Sequence, residues 1–253
     1  MPDWPLLIPL LFGGGLAAGL VDSIAGGGGL ITVPLLMAIV PDPRLALGTN
    51  KLQSTFGSFT AMLNYARNGQ IRFQGTLWGI FCTLLGAAAG TVCVQHLGQD
   101  LLKRLIPVAL LAILVYTAVS PRLGVKDIRP RMSGWAYYLL FGLGLGFYDG
   151  FFGPGTGSFW TMAFMVGLGH NMQRAVGHTK LMNFTSNVAS LIFFLLGGNV
   201  VVRLGLIMAA GEIVGARIGS GMVLRRGVRF VRPVFLAVVL LTVLYLLWQN
   251  YRR

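Results

Sequence analysis

Acidic residues are scarce in this chain. Asp and Glu together number 7 among 253 residues, and all charged types make up 11%. A soluble domain carries about 25% charged residues, so these are too few to coat a surface that faces water. Cysteine is scarcer still. Cys82 and Cys93 are the only two, and they share one apolar run, which argues against a disulfide framework or a cysteine metal cluster. Histidine is limited to His96, His170 and His178. No HExxH, GxSxG or GxxxxGK[ST] pattern accompanies them, so neither a hydrolase nor a self-powered ATPase is indicated. The reading is of a protein that is not an enzyme and needs no cofactor or metal. Alternating strand patterns are absent, which removes a β-barrel. The opening residues, MPDWPLLIPLLFGGG, lack a basic n-region, so the first apolar segment is expected to stay rather than be cleaved.

Apolar residues fill the space that charge leaves. They make up 55% of the chain, and mean hydropathy is +0.73. The apolar runs are about 18–22 residues long, enough to cross a hydrocarbon core of roughly 30 Å as helices. This is an all-α integral membrane protein. The net charge is +13, but the cations sit in short loops: Arg67 and Arg72, Lys103 and Arg104, Arg122 to Arg131, and Arg225 to Arg232. That is the positive-inside distribution of a membrane protein. No aromatic interleaving marks a nucleic-acid surface, and none is expected to bind.

The chain is written twice. GLVDSIAGGGG at 19–29 returns as GFYDGFFGPGTG at 146–157, which pairs Asp22 with Asp149 and Gly26 with Gly153 at an offset of 127. ALGTNKL at 46–52 returns as AVGHTKL at 175–181, pairing Lys51 with Lys180 at 129, and GAAAGT at 86–91 returns as GARIGS at 215–220. Residues 1–119 form a first transmembrane repeat, 120–133 a basic, proline-containing linker and 134–253 a second repeat. Each repeat reads as five segments. The first, about 5–24 and 134–151, ends in the Asp/Gly motif. The second, about 29–40 and 157–168, is too short to span comfortably at 1.5 Å per residue. Three longer segments follow, about 51–67, 74–96 and 102–119, then 180–197, 201–222 and 231–249. Five crossings per repeat would invert the second relative to the first. The expectation is two inverted repeats, with 8–10 transmembrane helices and short broken or re-entrant pieces.

Paired Gly/Pro interruptions in matching halves point to a transporter's binding site. Irregular backbone at membrane depth is tolerated only inside protein or along a wet cavity, and free glycine amides at a helix N-terminus cradle anions. Gly26, Gly27, Gly28 and Gly29, with Gly153, Gly155 and Gly157, are therefore candidate anion-cradle residues. Gly13–Gly15, Gly86 and Gly90 read as helix-packing positions. Lys51 and Lys180 each follow a polar turn and open an apolar helix; they either bind substrate or snorkel to head groups. Asn50, Gln53, His178, Thr179 and Asn183 supply donors nearby. Asp22 and Asp149 are matched acids, open to proton coupling, to pairing with a lysine, or to holding the glycine turns. Glu212 and Arg217 match Thr83 and Ala88 of the first half, so they stand outside the duplicated core, as a structural or gating pair.

GLVDSIAGGGGLITVP, ALGTNKLQ and GFYDGFFGPGTGSF…GHTKLMNFTSN resemble the TauE/SafE sulfite-exporter (TSUP) family, above all its YfcA-type branch of membrane transporters. The likeness runs over nearly the whole chain and both halves. The second half departs from the glycine run, with Pro154 and Thr156 where Gly27 and Gly29 stand, so the two cradles are expected to be unequal. The resemblance implies a bacterial inner-membrane carrier of a small sulfur-containing anion, such as sulfite, thiosulfate or a sulfonate. Proton coupling, an anion channel and a non-transporting subunit of a larger complex stay open as alternatives. The expected partners are the anion and the lipid bilayer, with a homo-oligomer left open.

Overall fold

The computed structural model describes residues 4–119 and 129–226. Most of the expected linker, the segment expected over 231–249, and the cations Arg122, Lys126, Arg229 and Arg232 lie outside the described residues. Helix α1 (Trp4–Ala25) stops at the first glycine run, and the short α2 (Gly29–Ile39) resumes after it. Then come α3 (Pro43–Arg67), α4 (Leu77–His96) and α5 (Gln99–Val119). After the linker, α6 (Gly134–Tyr137), a π-helical turn (Tyr138–Gly142) and α7 (Leu143–Phe151) run on from one another. The short α8 (Thr156–Gly167) follows the second break, and α9 (Met172–Leu196) and α10 (Val202–Arg226) complete the described helices.

The two long central helices begin earlier than the sequence suggests. At α3, Asp42 accepts from Arg44 N at 2.9 Å and Pro43 occupies the first turn, a strong start signal. At α9, Asn171 accepts from Arg174 N at 3.0 Å. ALGTN and AVGHT are therefore helical, not turns, and Lys51 and Lys180 lie inside helices instead of opening them. The glycines of those motifs serve close approach. A Cβ on Gly48 would strike the Asn199 carbonyl, and one on Gly177 would meet Gln70 O at 3.1 Å.

Packing crosses between the first and second halves of the chain. Helix α1 lies along α10, α7 lies along α4, and α3 and α9 pack together between these pairs. Glycine lets the backbones touch at both seams. Gly15 and Gly19 of α1 abut the backbone of Met208 and Glu212, and Gly211 and Gly215 of α10 abut Phe12 and Leu16. In the other seam, Gly86 and Gly90 of α4 meet Leu143 and Phe147, while Gly146 and Gly150 of α7 meet Thr83 and Ala87. The packing reading holds for Gly15, Gly86 and Gly90; Gly13 faces open space.

Polarity is inside out. Asn50, Lys51, Gln53, Asp149, Thr179, Lys180, Asn183, Ser186 and Glu212 are all buried, while Leu6, Leu77, Leu140 and Leu196 stand out from the surface. A soluble protein does the reverse with its charges, whereas lipid favours this arrangement. Four described helices are long and apolar enough to cross a membrane: Pro5–Ile24, Leu77–His96, Met172–Leu196 and Val202–Arg225. On the surface, Trp78 and Trp135 stack with ring centres 6.5 Å apart, the residue type that collects at membrane interfaces.

Candidate functional site

The two broken helices meet each other. Gly26 has φ +77° and its N–H donates to the Asp22 carbonyl at 2.8 Å, ending α1. Its Cα side faces Gly157 so closely that neither can carry a Cβ, and Gly29 packs on Pro154. Across from it, Gly153 (φ +96°) and Gly155 (φ +77°) turn the chain from α7 into α8. The glycines at both breaks thus let two interrupted backbones touch in the interior, flanked by the middle turns of α3 and α9.

A polar cavity of about 30 Å³ opens at this meeting point, room for a water or two. Gly26 lines it from the break after α1, Gly29 from the start of α2, and Gly155, Thr156 and Gly157 from the start of α8. Two helix N-termini, each a partial positive charge, therefore reach one small space. Asn50, Lys51 and Ser54 face it from α3, Asn183 and Asn187 from α9, and Asp22 and Asp149 from the helices that end there.

Two ion pairs secure this interior, and both join the halves. Lys51 Nζ donates to Asp149 Oδ1 at 2.7 Å and to Asn187 Oδ1 at 3.2 Å. Lys180 Nζ donates to Asp22 Oδ2 at 2.8 Å. Neither lysine snorkels: they are 1% and 0% exposed. Asp149 also accepts from the Ser186 hydroxyl, and Asn187 donates to Ser54 O and Ser58 Oγ, each at 3.3 Å. Asn50 is held through its Oδ1, which accepts from Gln53 Nε2 at 2.9 Å and meets Thr32 Oγ1 at 2.5 Å. The amide NH₂ is then the donor that this cavity-lining residue can offer. Asn183 keeps a buried Oδ1 without a partner among the described residues.

The remaining sequence candidates fall elsewhere. Lys180 does not line the cavity. Gly27 and Gly28 do not line it either; Gly28 lies against the Asp22 Cβ and the Ala18 carbonyl, and its own carbonyl accepts from Thr32 Oγ1 at 3.2 Å. Thr179 pairs with Thr161 at 3.1 Å. His178 is a buried helix residue, not a loop residue; its ring nitrogens meet Arg174 O at 2.9 Å and Arg72 N at 3.4 Å, and its ring lies 4.7 Å from that of His170. Glu212 and Arg217 do not pair, for Glu212 is buried and Arg217 exposed on the far side of α10. Ser54, Thr156, Ser186 and Asn187 escaped the sequence reading. The signal for Ser54, Ser186 and Asn187 was a polar stripe at helical spacing, Asn50–Ser54–Ser58 and Asn183–Ser186–Asn187, inside otherwise apolar segments; Thr156 had no such signal.

The family model for Sulfite exporter TauE/SafE matches residues 11–246. The probable membrane transporter protein YfcA of Escherichia coli K12 is 42% identical over 234 residues, 92% of this chain and 87% of its own. A probable membrane transporter protein of Haemophilus influenzae is 44% identical over 231 residues, 90% of this chain and 89% of its own. The probable membrane transporter protein ORF9 of a Sinorhizobium species is 38% identical over 232 residues, covering 92% and 89%. No solved structure matches the chain.

Proposed function

The chain belongs to the Sulfite exporter TauE/SafE family of membrane transporters, and on that premise we propose that it is a secondary carrier of a small anion in a bacterial inner membrane. The substrate class we favour is a sulfur oxyanion or sulfonate such as sulfite. The observation that carries the reading is Lys51: a buried ammonium on the wall of a polar cavity, where two helix N-termini converge. In this reading the halves are inverted repeats, and the breaks at Gly26–Gly29 and Gly153–Gly157 are the fixed hinge around which they alternate. The cavity is then an occluded form, too small for substrate until the halves part.

Lys51 is already satisfied by Asp149, so an anion competes for it with that carboxylate. The donors around it, the Asn50 amide and the glycine N–H groups at the start of α8, suit a compact oxyanion. Purified protein in liposomes is expected to move sulfite, thiosulfate or a short sulfonate with saturation and counterflow. The double variant Lys51→Met/Asp149→Asn, which removes both charges together, is expected to lose at least ten-fold in flux. Unsaturable flux would instead mark a channel. Wild-type protein that moves none of these anions would overturn the reading.

A further inference from the structure

Four charges in the interior balance: Lys51 with Asp149, and Lys180 with the partly exposed Asp22. A fifth titratable group does not belong to either pair. Glu212, on α10, is 1% exposed, and its Oε2 is buried without a hydrogen-bond partner among the described residues. Burying a carboxylate with no donor is costly unless it carries a proton. The titratable groups that act on it are Asp22 from α1 and Lys180 from α9. From α3, Gly57 faces it: a Cβ there would lie 2.6 Å from Glu212 Oε1 and 2.7 Å from Cδ. From α1, Gly19 admits the Glu212 backbone.

The offset of 129 makes the oddity informative. Glu212 falls on Thr83, and Gly57 falls on Ser186. At one ion pair, Ser186 donates to Asp149. At the other, the place of that serine is taken by a glycine, and the Glu212 carboxyl lies against it. One ion pair therefore has a fixed hydroxyl donor, and the other has a second carboxyl group beside it.

We propose that Glu212 is the proton-carrying group of this protein, coupling uptake and release of one proton to the state of the Lys180–Asp22 pair. With its proton, Glu212 is neutral and the four remaining charges cancel. Without it, a third carboxylate competes with Asp22 for the Lys180 ammonium, and the α1–α9 link that closes the first break is loosened. The proton moves to and from water as the halves part; nothing else in the step is consumed. This inference rests on the transport reading above, but it places the coupling at an acid outside the anion cavity and outside the duplicated Asp22/Asp149 pair.

The test uses full-length protein in liposomes with sulfite as the probe. An imposed pH gradient is expected to drive sulfite flux in wild-type protein. Glu212→Gln is expected to lose that gradient-driven flux at least ten-fold, while sulfite–sulfite exchange without a gradient persists. Infrared difference spectra are expected to show a protonated-carboxyl band in wild-type protein that Glu212→Gln removes. Gradient-driven flux that survives in Glu212→Gln, or an unchanged carboxyl band, overturns the proposal while leaving the transport reading intact. If Glu212→Gln does not fold, Glu212→Thr with Gly57→Ser rebuilds the pattern of the other half, and retained gradient-driven flux in that variant overturns it equally. Wild-type protein that moves no sulfite overturns the transport reading, and this proposal with it.

Discussion

Lys51 and Asp149 are both almost wholly buried, with side chains 2% and 5% exposed. Removing the lysine alone strands a carboxylate in the interior, and breaking a buried pair from one side costs about 3–5 kcal/mol. Lys51→Met is therefore expected to lower thermal stability in detergent sharply, and Lys51→Met/Asp149→Asn to recover most of the loss. The second pair is wetter, since the Asp22 side chain is 20% exposed. Water compensates a stranded Asp22 in part, so Lys180→Met is expected to cost less than Lys51→Met. Equal losses, or a double variant no better than the single, would mean that the charges do not pair in the folded protein. The same chemistry governs how a loss of transport is read: a single lysine variant confounds binding with folding, and the charge-neutral double does not.

At the scale of the helix, glycine decides where backbones touch. Gly15 abuts the Met208 backbone and Gly13, two positions away, faces open space. Lipid offers little hydrophobic drive between helices, so close packing carries the seam. Gly15→Leu is expected to reduce the yield of folded protein and its melting temperature, and Gly13→Leu to leave both near wild type. Size-exclusion profiles and thermal unfolding check this, and an equal response at the two positions would remove the seam from the argument. The breaks at Gly26 and Gly153 and the short helices after them were legible in the sequence, because clustered glycines interrupt otherwise apolar stretches. So were the two lysines and two aspartates as candidates, because a charge inside an apolar chain is conspicuous; that the lysines are buried instead of snorkelling was not. The starts of α3 and α9 were not. Gly48 and Thr49 look like a turn when read locally, and only the neighbouring Asn199 carbonyl shows that Gly48 makes room inside a helix. Which lysine meets which aspartate was equally hidden, since the pairing depends on how α1, α3, α7 and α9 assemble.

For the whole molecule, the connections between halves outweigh those that keep each half apart. Both ion pairs cross from one half to the other. So does each glycine seam, α1 with α10 and α7 with α4, and so does the contact of α3 with α9. A first half by itself would expose Lys51, Asn50 and the polar stripe of α3 to lipid, where unpaired polar groups are costly. The halves are thus expected to fold as one unit, whatever joins them. A protease site placed within 120–128 should cut the chain yet leave residues 1–119 bound to the second half, so that a tag on one recovers both in equal amounts from detergent. Residues 1–119 expressed alone should be degraded or aggregate. A first half that purifies by itself as a single stable species would show that the crossed pairs and seams form only after each half has folded. In that case the ion pairs would be docking contacts between two finished domains, and Lys51→Met would leave the melting of the isolated half unchanged.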